Sequence, residues 1–250
     1  MVQSWILLAA GLASMRAAID RGDVDEAARQ GMLAGPAVIT RALNAPDRSA
    51  KLAGIAAAPS STDRESLLGP LAKVAGGADR RTAIPAARAA LTIARELATR
   101  IDLPDDLGAD EVAAWRVDYA DLARDRDRWI ELRVLALDTA AALERGGVGV
   151  DLLVTALADP DHAFRRAAIA LVPAPVPSAM RAPLASSVLK DADAGVALAA
   201  AAVLCADATG ELVQPILDAL GAAGLERLRS LVTQRGSAAA IRDAKRCLKS

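Results

Sequence analysis

Five aspartates, Asp47, Asp79, Asp127, Asp161 and Asp193, recur at separations of 32, 48, 34 and 32 residues in a chain of 250. Each stands between two stretches whose apolar residues return at helical spacing. A period of this size is the mark of stacked helix pairs, here with one enlarged unit. It predicts an all-α solenoid of antiparallel helix pairs, roughly five to six repeats long. It names no reaction.

The register is tested by asking which residues a helical hairpin buries on either side of its turn. Leu43, Leu157 and Leu189 stand four residues before the aspartate, with Val74 and Leu122 one step earlier. Ile39, Leu71, Tyr119, Leu153 and Leu184 lie a further turn back. These close the first helix of each pair. Seven and eight residues after the aspartate come Gly54 and Ile55, Ala86 and Ala87, Val134 and Leu135, Ala168 and Ile169, then Ala200 and Ala201. They open the buried stripe of the second helix, and their small size lets neighbouring helices approach closely.

The turns carry their own chemistry, in Asn44-Ala-Pro-Asp47, Gly76-Gly-Ala-Asp79, Asp159-Pro-Asp161 and Asp191-Ala-Asp193. An aspartate here accepts hydrogen bonds from the free amides that open the next helix, so Asp47, Asp79, Asp127, Asp161 and Asp193 read as caps. Proline cannot continue the preceding helix, and glycine tolerates the left-handed geometry that ends it.

The segment Leu153-Leu-Val-Thr-Ala-Leu-Ala-Asp-Pro-Asp-His-Ala-Phe-Arg-Arg-Ala-Ala-Ile-Ala-Leu171 resembles a HEAT repeat of the short bacterial type found in phycobilisome (PBS) lyase HEAT-like proteins. It has the turn aspartate, apolar Phe164, basic Arg165 and an alanine-rich second helix. The resemblance implies a right-handed superhelix with one layer of helices lining a concave face, and Arg165 bridging the turns of adjacent repeats. On the aspartate register the position of Arg165 is Lys51, Ala83, Glu131 and Ala197 in the other units, so no continuous basic ladder follows.

This register gives helix pairs at about Gly35–Ala58, Asp63–Leu97, Asp110–Arg145, Val150–Leu171 and Pro177–Ala206. The whole chain reads as one solenoid domain. Residues 1–34 form N-terminal capping helices or a signal segment, 35–206 the five pairs, and 207–250 further helices broken at Gly221–Gly224 and at Arg235-Gly-Ser237. Aromatic residues make up only 2% of the chain, so the core must be assembled from many small aliphatic contacts.

The aromatic exception is Trp115, Tyr119 and Trp129 in the third unit, beside an acidic loop at 101–111. From Asp102 to Asp127 there are nine acidic residues and three arginines, whereas Leu225–Ser250 carries seven basic residues against Glu226 and Asp243. A net charge of −1 therefore hides an acidic middle and a basic end. The functional reading is a docking surface for a protein partner built from Asp105, Asp106, Trp115 and Trp129. The structural reading places the tryptophans in the core and the acids in solvent.

Catalytic signals are sparse. His162 is the single histidine and falls in the first turn of a helix, where a solvated role is ordinary. Cys205 and Cys247 have no CxxC neighbour, and no phosphate loop, dinucleotide fingerprint or nucleophile elbow is present. No catalytic, metal or cofactor residue is assigned. The expected function is a non-catalytic protein-interaction scaffold. The alternatives are an enzyme on the same scaffold, of the alkylpurine DNA glycosylase or bilin lyase type, and a structural envelope protein. An aromatic cluster in an acidic region opposes phosphate binding, which argues against a nucleic acid partner.

The preference for arginine over lysine and the high alanine content fit a bacterial chain. Compartment stays open between the cytoplasm and export to the envelope. Trp5–Ala13 is an apolar run with small residues at Gly11 and Ala13, as signal-peptidase cleavage requires, but Met1–Ser4 has no basic side chain. The other reading is an apolar first helix that covers the end of the array and is too short to span a bilayer. Cys205 and Cys247 would pair in an oxidising compartment and remain small buried residues elsewhere.

Overall fold

The computed structural model describes residues 2–100, 108–144, 149–233 and 237–248, with side chains from residue 9 onward. The described residues contain helices and turns and no strand. The fold is an all-α solenoid. Where the sequence reads as one continuous array, the chain divides into two compact units, Met1–Arg145 and Gly146–Ser250.

The first unit contains α1 (Val2–Asp20), α2 (Val24–Ala34), α3 (Pro36–Leu43), α4 (Arg48–Ala57), α5 (Leu68–Ala75), α6 (Arg80–Ala98), α7 (Ala109–Arg124) and α8 (Ile130–Leu143). Each odd-numbered helix packs on the one that follows it, α1, α3, α5 and α7 stack in one layer, and α2, α4, α6 and α8 stack in the other. The second unit repeats the plan with α9 (Val150–Leu157), α10 (His162–Ala170), α11 (Ser178–Lys190), α12 (Ala194–Ala206), α13 (Val213–Leu231) and α14 (Ala238–Ala244). There α9, α11 and α13 stack in one layer and α10, α12 and α14 in the other. α13 is broken at Gly221, whose φ of 60° is a conformation that suits glycine.

The helix starts follow from local chemistry. Asp47, Asp79, Asp161 and Asp193 occupy the N-cap positions of α4, α6, α10 and α12, and their carboxylates accept backbone amides of Ala50, Arg81, Ala163 with Phe164, and Val196. Pro36 opens α3 at a position where its missing N–H costs nothing. The buried stripe is made of small residues. Ala86, Ala87, Ala168, Ala200 and Ala201 are wholly inaccessible, and a Cβ on Gly54 would lie 2.9 Å from that of Ala42, so α3 and α4 cross with almost no side chain between them.

Asp127 departs from the expected pattern. It does not cap α8: its amide donates to Asp125 Oδ1 at 3.1 Å, and the N-cap position is held two residues later by Trp129, without a side-chain hydrogen bond. The buried stripe shifts by the same two residues. Leu132, Ala136 and Leu137 are wholly buried, while Val134 and Leu135 are only half-buried. Measured from the true cap, the basic position of the repeat is Arg133 rather than Glu131. Arg133 is only 4% exposed, and its Nε donates to the Ala123 carbonyl at 3.0 Å.

Trp115 and Tyr119, one helical turn apart on α7, are both buried and face α5. The Tyr119 hydroxyl donates to the Leu68 carbonyl at 2.9 Å, and burial pushes its pKa well above the ordinary value. The Trp115 indole sits over Gly69, where a Cβ would lie 3.1 Å from Nε1. Glycine thus makes room for the largest side chain in the stack.

In the second unit Cys205 near the end of α12 and Cys247 after α14 form a disulfide with a Cα–Cα distance of 5.4 Å. The bond joins two stacked helices of one layer where their ends converge.

Candidate functional site

The turn edge of each unit contains a groove between successive helix pairs, and the two grooves are built from corresponding repeat positions. In the second unit the groove has a volume of about 500 Å³ and is lined by the end of α9, by Arg165, and by Ser186, Ser187, Lys190 and Asp191 at the end of α11. In the first unit it has a volume of about 330 Å³ and is lined by Leu43 and Asn44 at the end of α3, by Lys51, by Lys73 and Val74 of α5, and by Gly77, Ala78, Asp79 and Thr82 at the next turn. Arg165 and Lys51 each lie four residues after a capping aspartate.

The second-unit groove is clamped by its own residues. Arg165 Nε and Nη2 donate to the two carboxylate oxygens of Asp191 at 2.7 and 2.8 Å, and Nη1 donates to the carbonyls of Asp159 and Pro160, both at 2.9 Å. A planar guanidinium fits this arrangement where an ammonium would not. The Asp193 amide completes the site by donating to Asp191 Oδ1 at 2.9 Å. Burial alone would raise the Asp191 carboxyl, but the Arg165 guanidinium and the Asp193 amide outweigh it and hold the pKa below its usual value. Hydrogen bonding to Asp191 correspondingly raises Arg165.

In the first unit the corresponding carboxylate position, two residues before the capping aspartate, is Gly77. Lys51 therefore faces a glycine where Arg165 faces Asp191, and among the described residues no carboxylate pairs with it. The Gly77 carbonyl accepts from Arg128 Nη1 at 3.0 Å, while Arg128 Nε is held by Asp125 at 2.9 Å. The Asp79 carboxylate is occupied by Arg48 at 2.9 Å and by its own capping bond to the Arg81 amide.

A second set of contacts links successive turns by a route that sequence reasoning missed. Arg16 reaches Asp47 at 3.3 Å, Arg48 reaches Asp79 at 2.9 Å, Arg80 reaches Glu131 at 3.6 Å, and Arg166 reaches Asp193 at 3.5 Å. The signal was present as the dipeptide Asp47-Arg48, whose cation on the first residue of α4 meets the anion at the next cap, Asp79, whereas Arg80 in the same place on α6 meets Glu131 in the first turn of α8. A parallel pairing crosses the exposed faces of α6 and α8: Arg88 pairs with Glu131, and Arg95 pairs with Asp138 at 3.7 Å. Most of these pairs are solvated and add little to stability, but Asp138 is half-buried, and burial raises its carboxyl pKa against the pull of Arg95.

Of the four residues expected to form a docking surface, Trp115 and Trp129 lie among the described residues. Trp115 is 8% exposed and belongs to the core, because α5 and α7 close over it. Trp129 is half-buried at the start of α8. Asp105 and Asp106 lie outside the described residues. His162 is exposed as the first residue of α10. The described residues contain no cluster of histidine, cysteine and acidic side chains fit for a metal, and none of their helices is long and apolar enough to cross a membrane.

No family model matches the chain, and no curated protein matches it in sequence. Among solved structures it is similar to a designed armadillo repeat protein, YIII(Dq.V1)4CPAF, in complex with the peptide (KR)4. The TM-score is 0.52 and the identity 17%, covering 84% of this chain and 97% of that one. The similarity is one of fold, shared between helical-repeat solenoids.

Proposed function

We propose that the protein is a non-catalytic scaffold of the HEAT-like class that holds a protein partner by an extended segment laid along its turn edge. The observation that carries this reading is a groove at the same repeat position in each unit, lined in the first by Lys51 and Lys73 and in the second by the corresponding Arg165 and Ser187. Recurring side chains on a rigid stack are suited to an extended chain, whose own side chains recur too. The designed armadillo neighbour, in complex with a peptide, supports the same class of function. Its basic peptide does not carry over, because the first-unit groove is itself lined by two lysines, Lys51 and Lys73.

The test is selection from a displayed peptide library, followed by hydrogen exchange of the full chain with a selected ligand. Protection of the backbone at 43–51 and 73–82 is the expected result. Protection elsewhere, or no selected ligand, removes this reading.

A second reading concerns the compartment, and the Cys205–Cys247 bond favours it. We infer export to an oxidising compartment, where such a bond persists. The packing of α1 favours the end cap over a signal segment cleaved at Ala13: Met15 and Ala18 are inaccessible, and Gly11 lies so near α2 that a Cβ would stand 2.8 Å from that of Ala34. Intact mass from the native host tests both points. A reduced chain would remove the export reading.

A further inference from the structure

We infer that the first-unit groove is a receptor for the side-chain carboxylate of an aspartate or glutamate on an extended partner segment, bound between the Lys51 ammonium and the turn at Gly77–Asp79. This rests on the scaffold reading and names the partner chemistry of that surface.

The second unit contains its own occupied copy of the site. There the cation four residues after one cap, Arg165, is neutralised by the carboxylate two residues before the next cap, Asp191. That carboxylate also takes the amide of the capping aspartate. Asp191, the first residue after α11, is itself extended, with φ −65° and ψ 129°, so the occupant is an acidic side chain on an extended residue. The same turn contact is made by Asp159 to the Asp161 amide at 2.9 Å and by Asp125 to the Asp127 amide at 3.1 Å.

In the first-unit groove the cation is kept as Lys51 and the capping aspartate as Asp79, but the carboxylate between them is replaced by Gly77. A second cation, Lys73, stands on the same wall, and Asn44 and Thr82 supply neutral polar groups. The one lining acid is Asp79, already committed to Arg48 and its cap. The groove therefore offers two lysines and a capping turn to an anion that the described residues do not supply. A lysine suits an exchangeable ligand here better than arginine would, since it binds as a point charge without the fixed bidentate fork that seals Arg165 to Asp191. The Gly77 carbonyl is held by Arg128, so the turn is fixed before any ligand arrives.

The probe is the chain's own carboxylate-bearing turn, a heptapeptide copying residues 188–194 with Asp193→Asn so that Asp191 is its single carboxylate, blocked at both ends and compared with the form that also carries Asp191→Asn. Each is titrated into the full protein while the amide resonances of Gly77, Ala78 and Asp79 are followed by NMR. The aspartate peptide should shift these amides saturably and the asparagine form should bind at least about tenfold more weakly, as loss of a charge-assisted contact implies. Lys51→Met should weaken the aspartate peptide by a similar factor. Gly77→Asp should block it by supplying the missing carboxylate internally. The new Cβ would stand 3.0 Å from the Val74 backbone carbonyl oxygen, so a thermal melt of this variant accompanies the titration to show that it is folded. Equal affinity of the two peptides, or wild-type binding by both variants, overturns the inference. If library-selected segments still protect the turn edge in that case, the scaffold reading stands without it; if they do not, both fall.

Discussion

Arg165 and Asp191, 26 residues apart, meet through two hydrogen bonds with side chains 14% and 5% exposed, so that one guanidinium ties the turn of one helix pair to the turn of the next. Both groups are largely withdrawn from water, so removing one strands the other. Arg165→Met should cost about 3–5 kcal/mol, while Arg165→Met with Asp191→Leu should recover a good part of that loss. Urea denaturation of the full chain reads both. Equal destabilisation in the single and double variants would assign the stability to the Asp159 and Pro160 carbonyls instead.

The same pair makes stability depend on acidity. The folded Asp191 carboxyl titrates below its ordinary value of 3.8, so the unfolded chain takes up the proton first. The contribution is complete above that unfolded value and is lost as pH falls through the folded one. The stability gap between wild type and Asp191→Asn should stay level from neutral pH down to about 4 and close below it. A gap that closes at higher pH would show that another group governs the clamp.

The third helix pair tests the register. The structure buries Ala136 wholly and leaves Val134 half in solvent, the reverse of what the Asp127 spacing predicts. Ala136→Asp should destabilise severely, since an unpaired charge enters a helix interface, whereas Val134→Asp should be far milder. Thermal melts of the two variants decide it. Ala168→Asp in the fourth pair should behave like Ala136→Asp, because Ala168 is equally inaccessible.

These positions also show where the sequence was legible. Capping at Asp47, Asp79, Asp161 and Asp193 is local chemistry, fixed by a carboxylate and amides two or three residues away, and spacing alone reveals it. At Asp127 an identical residue does something else, because Asp125 supplies the carboxylate of that turn and the helix waits for Trp129. Nothing in the composition of 125–129 distinguishes the two outcomes. Trp115 lies beyond local reading for a different reason: whether it is core or contact depends on Gly69, which stands 46 residues earlier. The Lys51 groove was least legible of all. In the sequence Lys51 is only a weak match to a basic position, and its meaning depends on the partner position, Gly77, across the turn. Sequence pattern locates repeats; the mismatch between neighbouring repeats becomes chemistry only when they are stacked.

The disulfide supplies the last test. Cys205 and Cys247 are separated by 42 residues, and closing a loop of that length lowers the entropy of the unfolded chain by an amount worth about 4 kcal/mol in the chain-entropy model. The loop encloses α13 and α14, whose apolar contacts include Ile216, Leu228 and Leu231, all inaccessible. Reduction should therefore loosen the last helices of the second unit first, lowering its melting temperature and raising hydrogen exchange across 213–248. The capped turns of the first unit contain no cysteine and should keep their protection under the same reductant. Exchange measured on the oxidised and reduced full chain separates the two units directly. Unchanged protection at Leu228 and Leu231 after reduction would show that packing against α11 and α12 holds these helices without the bond.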